Sequence, residues 1–158
     1  MISNTMLIDE ITTSLNNMKQ SGKVDLSIVN NLEVLSNLFK ESKERWLMSS
    51  NTKINLYFYY AARVAELVVS RVKERFLSSN QVDANLRIIE DSLQVTGLLR
   101  DLHDLTQKKL PDEDSTKLVV ERTRQLRVVA TNVNILQMQE KELEDVDKLL
   151  RYISKLRK

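Results

Sequence analysis

Few residues in this chain have the type and spacing to do chemistry. His103 is the only histidine, set in Leu99-Arg100-Asp101-Leu102-His103-Asp104-Leu105, and there is no cysteine. Thiol catalysis, disulfides and Cys/His zinc sites are therefore excluded. A lone histidine between acids reads as a helical surface group. The residues after it, Asp104-Leu105-Thr106-Gln107-Lys108, do not match a phosphotransfer motif, and one histidine builds no serine-histidine-acid set. Carboxylates are densest at Glu140, Glu142, Glu144, Asp145 and Asp147. They lack the Glu-x-x-His pairs of a di-iron bundle. They read instead as a solvated face with Lys141, Lys148 and Arg151 as helical partners. Gly22 and Gly97 lie too far apart to form a phosphate-binding loop. The expectation is a chain with no catalytic residues, no metal and no cofactor, and hence not an enzyme.

What remains is contact chemistry. Tyr57-Phe58-Tyr59-Tyr60 is the one aromatic cluster. On a helix Phe58 joins an apolar stripe, while Tyr57 and Tyr60 share another side and suit a half-buried protein contact. Trp46, beside Leu47 and Met48, is either a packing residue or an exposed hot spot. Basic residues gather twice. Arg63, Arg71, Lys73 and Arg75 form one group; Arg122, Arg124 and Arg127, then Arg151, Lys155, Arg157 and Lys158, form the other. The last four complement a helix C-terminus or make weak phosphate contacts. With 24 Lys+Arg against 22 Asp+Glu the net charge is only +2, too small to imply a nucleic-acid or anionic-membrane partner by itself. The interface candidates are Trp46, Tyr57, Tyr60, Arg63 and Arg71.

The elements that position these residues are helical. In 158 residues there are 2 glycines and 1 proline, too little turn chemistry for a β-sandwich or barrel, and the 42% hydrophobic content suffices for a core. A first helix runs from about Ser3 to Lys19, with Asn4 or Thr5 as cap and Ile8, Ile11 and Leu15 at helical spacing. Ser21-Gly22 ends it, with Gly22 left-handed. Asp25 caps a second helix with the stripe Ile28, Leu32, Leu35 and Phe39, which frays between Arg45 and Ser50. Asn51 or Thr52 caps a third, to about Leu77, carrying Ile54, Phe58, Ala61, Ala65, Val68, Val72 and Phe76. Val64, Leu67 and Val69 widen that face and make it the most buried helix. After a polar break at Ser78-Ser79-Asn80, a fourth helix runs from about Asp83 to Lys109 on Leu86, Ile89, Leu93, Leu98, Leu102 and Leu105. Gly97 within it marks close packing.

Leu110-Pro111-Asp112-Glu113-Asp114 is the clearest boundary. It divides a helical bundle, residues 1–110, from a C-terminal long helix or small appended α/β element, residues 111–158. In the latter, Leu126, Val129, Val133, Leu136, Leu143 and Leu150 fit a heptad seam on which Glu140 and Asp147 are the polar exceptions. One long helix from Ser115 to Leu156 satisfies that pattern. The rival is a strand from Arg127 to Leu136, where Val129, Thr131, Val133 and Ile135 alternate at period two. The fold class expected is all-α, a bundle of four to five long amphipathic helices, with a possible small β element after residue 125.

The run Tyr60-Ala61-Ala62-Arg63-Val64-Ala65-Glu66-Leu67-Val68-Val69-Ser70-Arg71-Val72-Lys73 resembles the central helix of GINS subunits. That family forms a non-enzymatic complex attached to the replicative DNA helicase in archaea and eukaryotes. The resemblance covers residues 25–105 and places Arg71 at the family's arginine. Glu74 and Arg75 stand where the family has a lysine and an aliphatic residue, and Gln81-Val82-Asp83-Ala84 replaces its usual Pro-Glu-Glu helix start. One class of GINS subunit also carries a small β-rich domain, which the resemblance maps onto residues 126–153.

Two functions follow as expectations. One is a non-enzymatic scaffold or interaction subunit of a multiprotein complex, GINS-like in its sharpest form. Its partners are other protein subunits, as a homo- or hetero-oligomer, with weak nucleic-acid contact through the complex. The other is a ligand-sensing or signalling bundle that homodimerises, such as an excised receptor ectodomain. The start Met1-Ile2-Ser3-Asn4 carries no signal-peptide pattern, and Arg63, Glu66, Ser70 and Arg71 interrupt the most apolar stretch. An intracellular, cytoplasmic or nucleoid-associated location without membrane contact is the corresponding expectation.

Overall fold

A computed structural model describes residues 4–48, 53–78 and 82–155. Six α-helices follow in order: α1 Asn4–Ser21, α2 Ile28–Met48, α3 Lys53–Ser78, α4 Val82–Thr106, α5 Glu113–Asn132 and α6 Glu144–Lys155, with a 3₁₀ turn at Lys141–Leu143 before the last. No strand occurs among the described residues. The fold is an all-α bundle. The expected caps at Asn51 and Thr52, the break residues Ser79 and Asn80, and Arg157 and Lys158 lie outside the described residues. Asn4 and Thr5, expected as caps, are already inside α1.

Local chemistry explains most helix ends. Gly22 adopts φ 72°, and its amide donates to the Met18 carbonyl at 2.8 Å, which closes α1 as its spacing predicts. The Asp25 side chain accepts from the Ser27 amide at 3.0 Å at the entry to α2. Asp112 caps α5 through a capping box: its Oδ1 accepts from the Ser115 amide at 2.6 Å, and Ser115 Oγ accepts from the Asp112 amide at 3.0 Å.

The core forms around α3, ten of whose described residues are buried, against α2, α4 and α5; α1 lies on α4 and α2. Ile28, Leu32, Leu35 and Phe39 present the expected stripe of α2. Phe58, Ala61, Ala65, Val68, Val72 and Phe76 do the same on α3, but Ile54 is exposed. Burial of each large side chain here is worth about 1.5–3 kcal/mol. Pro111 lies in the connection between α4 and α5, and the core continues beyond it. Val119, Leu126, Ala130, Ile135, Leu136 and Leu143 join the same apolar cluster as Leu7, Phe39 and Phe76.

Three expectations are corrected. The long helix from Ser115 to Leu156 is broken, and the strand over Arg127 to Leu136 is helix and helix cap. Asn134 adopts φ 62°; the Ile135 amide donates to Ala130 O at 2.8 Å and the Asn134 amide to Thr131 O at 3.1 Å. This is a Schellman motif with asparagine at the left-handed position, and it stops α5 at Asn132. The α4 face is wider than expected: Ile89, Leu102 and Leu105 are buried and Leu93 and Leu98 pack against the core as their spacing predicts, but Leu86 is exposed, and Ile88, Ser92, Thr96, His103 and Thr106 are buried as well. Their hydroxyls explain why polar residues sit there, since Ser92 donates to Ile88 O at 2.6 Å and Thr106 to Leu102 O at 2.7 Å. Finally, a Cβ at Gly97 would meet nothing within 4 Å, so close packing does not explain that glycine.

Candidate functional site

One face of α3 collects charge. Tyr59, Tyr60, Arg63 and Arg71 recur at steps that keep them on one side of a helix. The Schellman turn after α5 directs the chain back across that side, so the acids of residues 140–147 meet the arginines. Arg71 Nη2 lies 2.6 Å from Glu140 Oε1 and 3.1 Å from Glu142 Oε1. Arg63 donates to the Glu142 carbonyl, to Tyr59 Oη at 3.1 Å, and approaches Asp145 at 3.4 Å. From α5, Arg127 donates to Tyr60 Oη at 2.6 Å and to Asp147 Oδ1 at 2.7 Å.

The burial of these acids is unequal. The Glu140 side chain is 3% exposed and Asp147 24%, while Glu142 and Asp145 are 54% and 69% exposed. Glu140 also accepts from the Gln137 amide at 2.8 Å. Burial pushes its carboxyl up, but the Gln137 amide and the Arg71 guanidinium outweigh this and hold it below the usual glutamate range. Burial raises the Tyr60 phenol against the pull of Arg127, so Tyr60 stays neutral. Glu142, Glu144 and Asp145 lie on the solvated face expected of the cluster, but two of its members do not. Glu140 and Asp147, the polar exceptions on the seam, are its inward-facing members.

The other candidates separate. Trp46 is a packing residue rather than an exposed hot spot: it is 5% exposed and stacks on Phe58 with ring centroids 4.6 Å apart. Its Nε1 donates at 2.8 Å to Thr106 O, a carbonyl at the end of α4 that Arg45 also reaches. Tyr57 lies away from Arg71. It lines an open groove between α3 and α5, about 680 Å³ in volume, with Ile54, Pro111, Val120, Lys117, Glu121 and Arg124 among the other lining residues. Tyr60, Arg63 and Arg71 come together beneath the C-terminal segment. Arg127 belongs with them and was not singled out from the sequence, because its partner Tyr60 lies 67 residues away.

Arg63, Arg71, Lys73 and Arg75 of α3 are engaged within the chain. Besides the pairs above, Arg75 meets Asp91 at 3.0 Å, and Lys73 pairs with Glu33. His103 is not a surface residue. It is 3% exposed, packs edge-on against Phe39, and neither ring nitrogen has a hydrogen-bond partner. Burial pushes its imidazole below the usual histidine value, against the nearby Asp104. It has neither a partner nor an opening for acid–base work on a substrate. Among the described residues no group of three or more His, Asp or Glu is placed to hold a metal ion. No helix there is long and apolar enough to cross a membrane.

Neither a protein-family model, a curated protein nor a solved structure matches this chain. The class that the coordinates define is an all-α bundle whose acidic C-terminal segment closes over a basic, tyrosine-bearing helix face.

Proposed function

We propose that the chain is a non-enzymatic helical interaction subunit of a multiprotein assembly. The observation that carries this reading is the groove between α3 and α5. Ile54, Tyr57, Pro111 and Val120 line it together with the charged Glu113, Lys117, Glu121 and Arg124. Apolar and charged side chains sharing one open groove are the materials of a protein-binding patch. The ligand-sensing alternative has less support, since the cavity enclosed by Ile8, Leu15, Leu35, Val72 and Leu99 is about 10 Å³, room for no more than a water.

In its sharper form, which rests on the resemblance of Tyr60–Lys73 to the GINS central helix, the assembly is the replicative helicase complex. The test is affinity purification of the tagged chain from its own cells, read by mass spectrometry, beside an Ile54→Asp variant. Stoichiometric subunits lost in the variant support the interaction reading, and helicase or GINS-like subunits among them support the sharper form. Recovery of the chain alone contradicts both.

A further inference from the structure

The C-terminal segment occupies the α3 face as a separate protein would. Its apolar anchors are few: Leu143, Val146 and Ile153 are buried, whereas Leu149 and Tyr152 of the same helix are 40% and 61% exposed. The remaining hold is charge, through the contacts of Arg63, Arg71 and Arg127 with Glu140, Glu142, Asp145 and Asp147. Arginine and tyrosine are the residue types that dominate binding energy at protein interfaces.

We propose that the face formed by Tyr60, Arg63, Arg71 and Arg127 is a docking site for an acidic helical segment of a partner protein, and that residues 140–147 occupy it in cis. The bound segment states the chemistry the site accepts. One carboxylate sits on Arg71, a second, seven residues later, accepts from Arg127, which also donates to Tyr60, and Leu143 and Val146 are the buried apolar residues between them. A partner segment with acid, apolar, apolar and acid at those spacings, entering a helix through the same extended residue and 3₁₀ turn, offers the same set. Exchange is feasible because a buried ion pair adds little net stability over an equivalent pair, and exposed pairs are screened by salt. The apolar anchors favour a peptide over a phosphate backbone, which has none. The tethered segment competes at an effective concentration near millimolar, so it holds the site closed until displaced.

The inference deepens the interaction-subunit reading and rests on it. The test is a fluorescently labelled peptide of residues 137–155, titrated in an anisotropy assay with the full chain and two full-length release variants. One carries Glu140→Gln with Asp147→Asn. The other carries Asp145→Asn with Asp147→Asn, which leaves buried Glu140 in place should the first fail to fold. Circular dichroism and a cooperative melt confirm folding. The expected result is binding to a folded release variant at least about tenfold tighter than to the unaltered chain, abolished when Arg71→Ala is added. Equal, weak binding to all of them overturns the inference, as does equal binding of a single-stranded oligonucleotide of matching charge. Either failure leaves the α3–α5 groove and its purification test standing, so the two readings fail separately.

Discussion

The bundle core and the C-terminal segment are held by different physics. Between α1, α2, α3 and α4, fully buried side chains such as Ile8, Phe39, Phe58 and Phe76 do the holding. Over the α3 face, arginines and carboxylates do most of it, with three apolar anchors. Apolar burial is not screened by salt and sums over the whole domain, whereas ion pairs are local, screened where they are exposed, as at Glu142 and Asp145, and sensitive to the loss of one partner. A bundle built this way can open one face without melting.

The largest effect that would separate the two regions comes from the core. Phe58→Ala removes a ring that is 0% exposed and stacked on Trp46, and should cost about 3–5 kcal/mol in a denaturant melt, felt by every helix together. Arg71→Ala should cost about 2 kcal/mol by stranding the buried Glu140 carboxylate. Its signature is local: amides of α6 lose protection and those of α3 keep it. Pairing Arg71→Met with Glu140→Gln should recover part of that loss, since no lone charge then remains buried. A double-mutant cycle measures the coupling.

His103 gives the core its own polar weakness. Its folded-state pKa is depressed, so below the ordinary histidine value of about 6.5 the unfolded chain takes up the proton first. Its contribution is fully present above that value and is lost as pH falls towards the folded pKa. Melts between neutral and mildly acidic pH should show a loss that His103→Leu flattens. At neutral pH that variant should be unchanged or more stable by about 1 kcal/mol, because both unpaired nitrogens are gone. The smallest effect lies at the hinge. Asn134→Gly should stabilise by about 0.5 kcal/mol, since glycine takes the positive φ without cost, while Asn134→Val should destabilise by about 1–2 kcal/mol, both read from thermal melts.

Periodicity made the bundle legible. The α2 and α3 stripes and the Gly22 stop follow from apolar spacing and one left-handed residue. It misled where two signals competed. The seam from Leu126 to Leu150 continues in pattern through a turn that the chain does not cross as helix. The local signal, Asn134 followed by Ile135, marks the cap that wins because it satisfies the last carbonyls of α5. The α4 face was read too narrowly, because Ser92, Thr96, His103 and Thr106 are polar by type yet buried beside Ile89, Leu102 and Leu105. Of the site, Tyr60, Arg63 and Arg71 were legible as contact candidates on one helix, though Tyr60 was paired with Tyr57 rather than with the arginines. That an acid of the same chain covers them was not, since sequence spacing carries no information about a partner 69 residues away. The clue available was that Glu140 and Asp147 interrupt an apolar seam.

The most direct test of the central claim is hydrogen exchange on the unaltered chain at about 50 mM and about 0.5 M salt, resolved by segment. If charge holds the C-terminal segment, amides of α6 exchange markedly faster at high salt while those of Phe58 to Phe76 in α3 stay protected. If α6 and α3 keep the same relative protection at both salt concentrations, the segment is part of the core and the account is wrong.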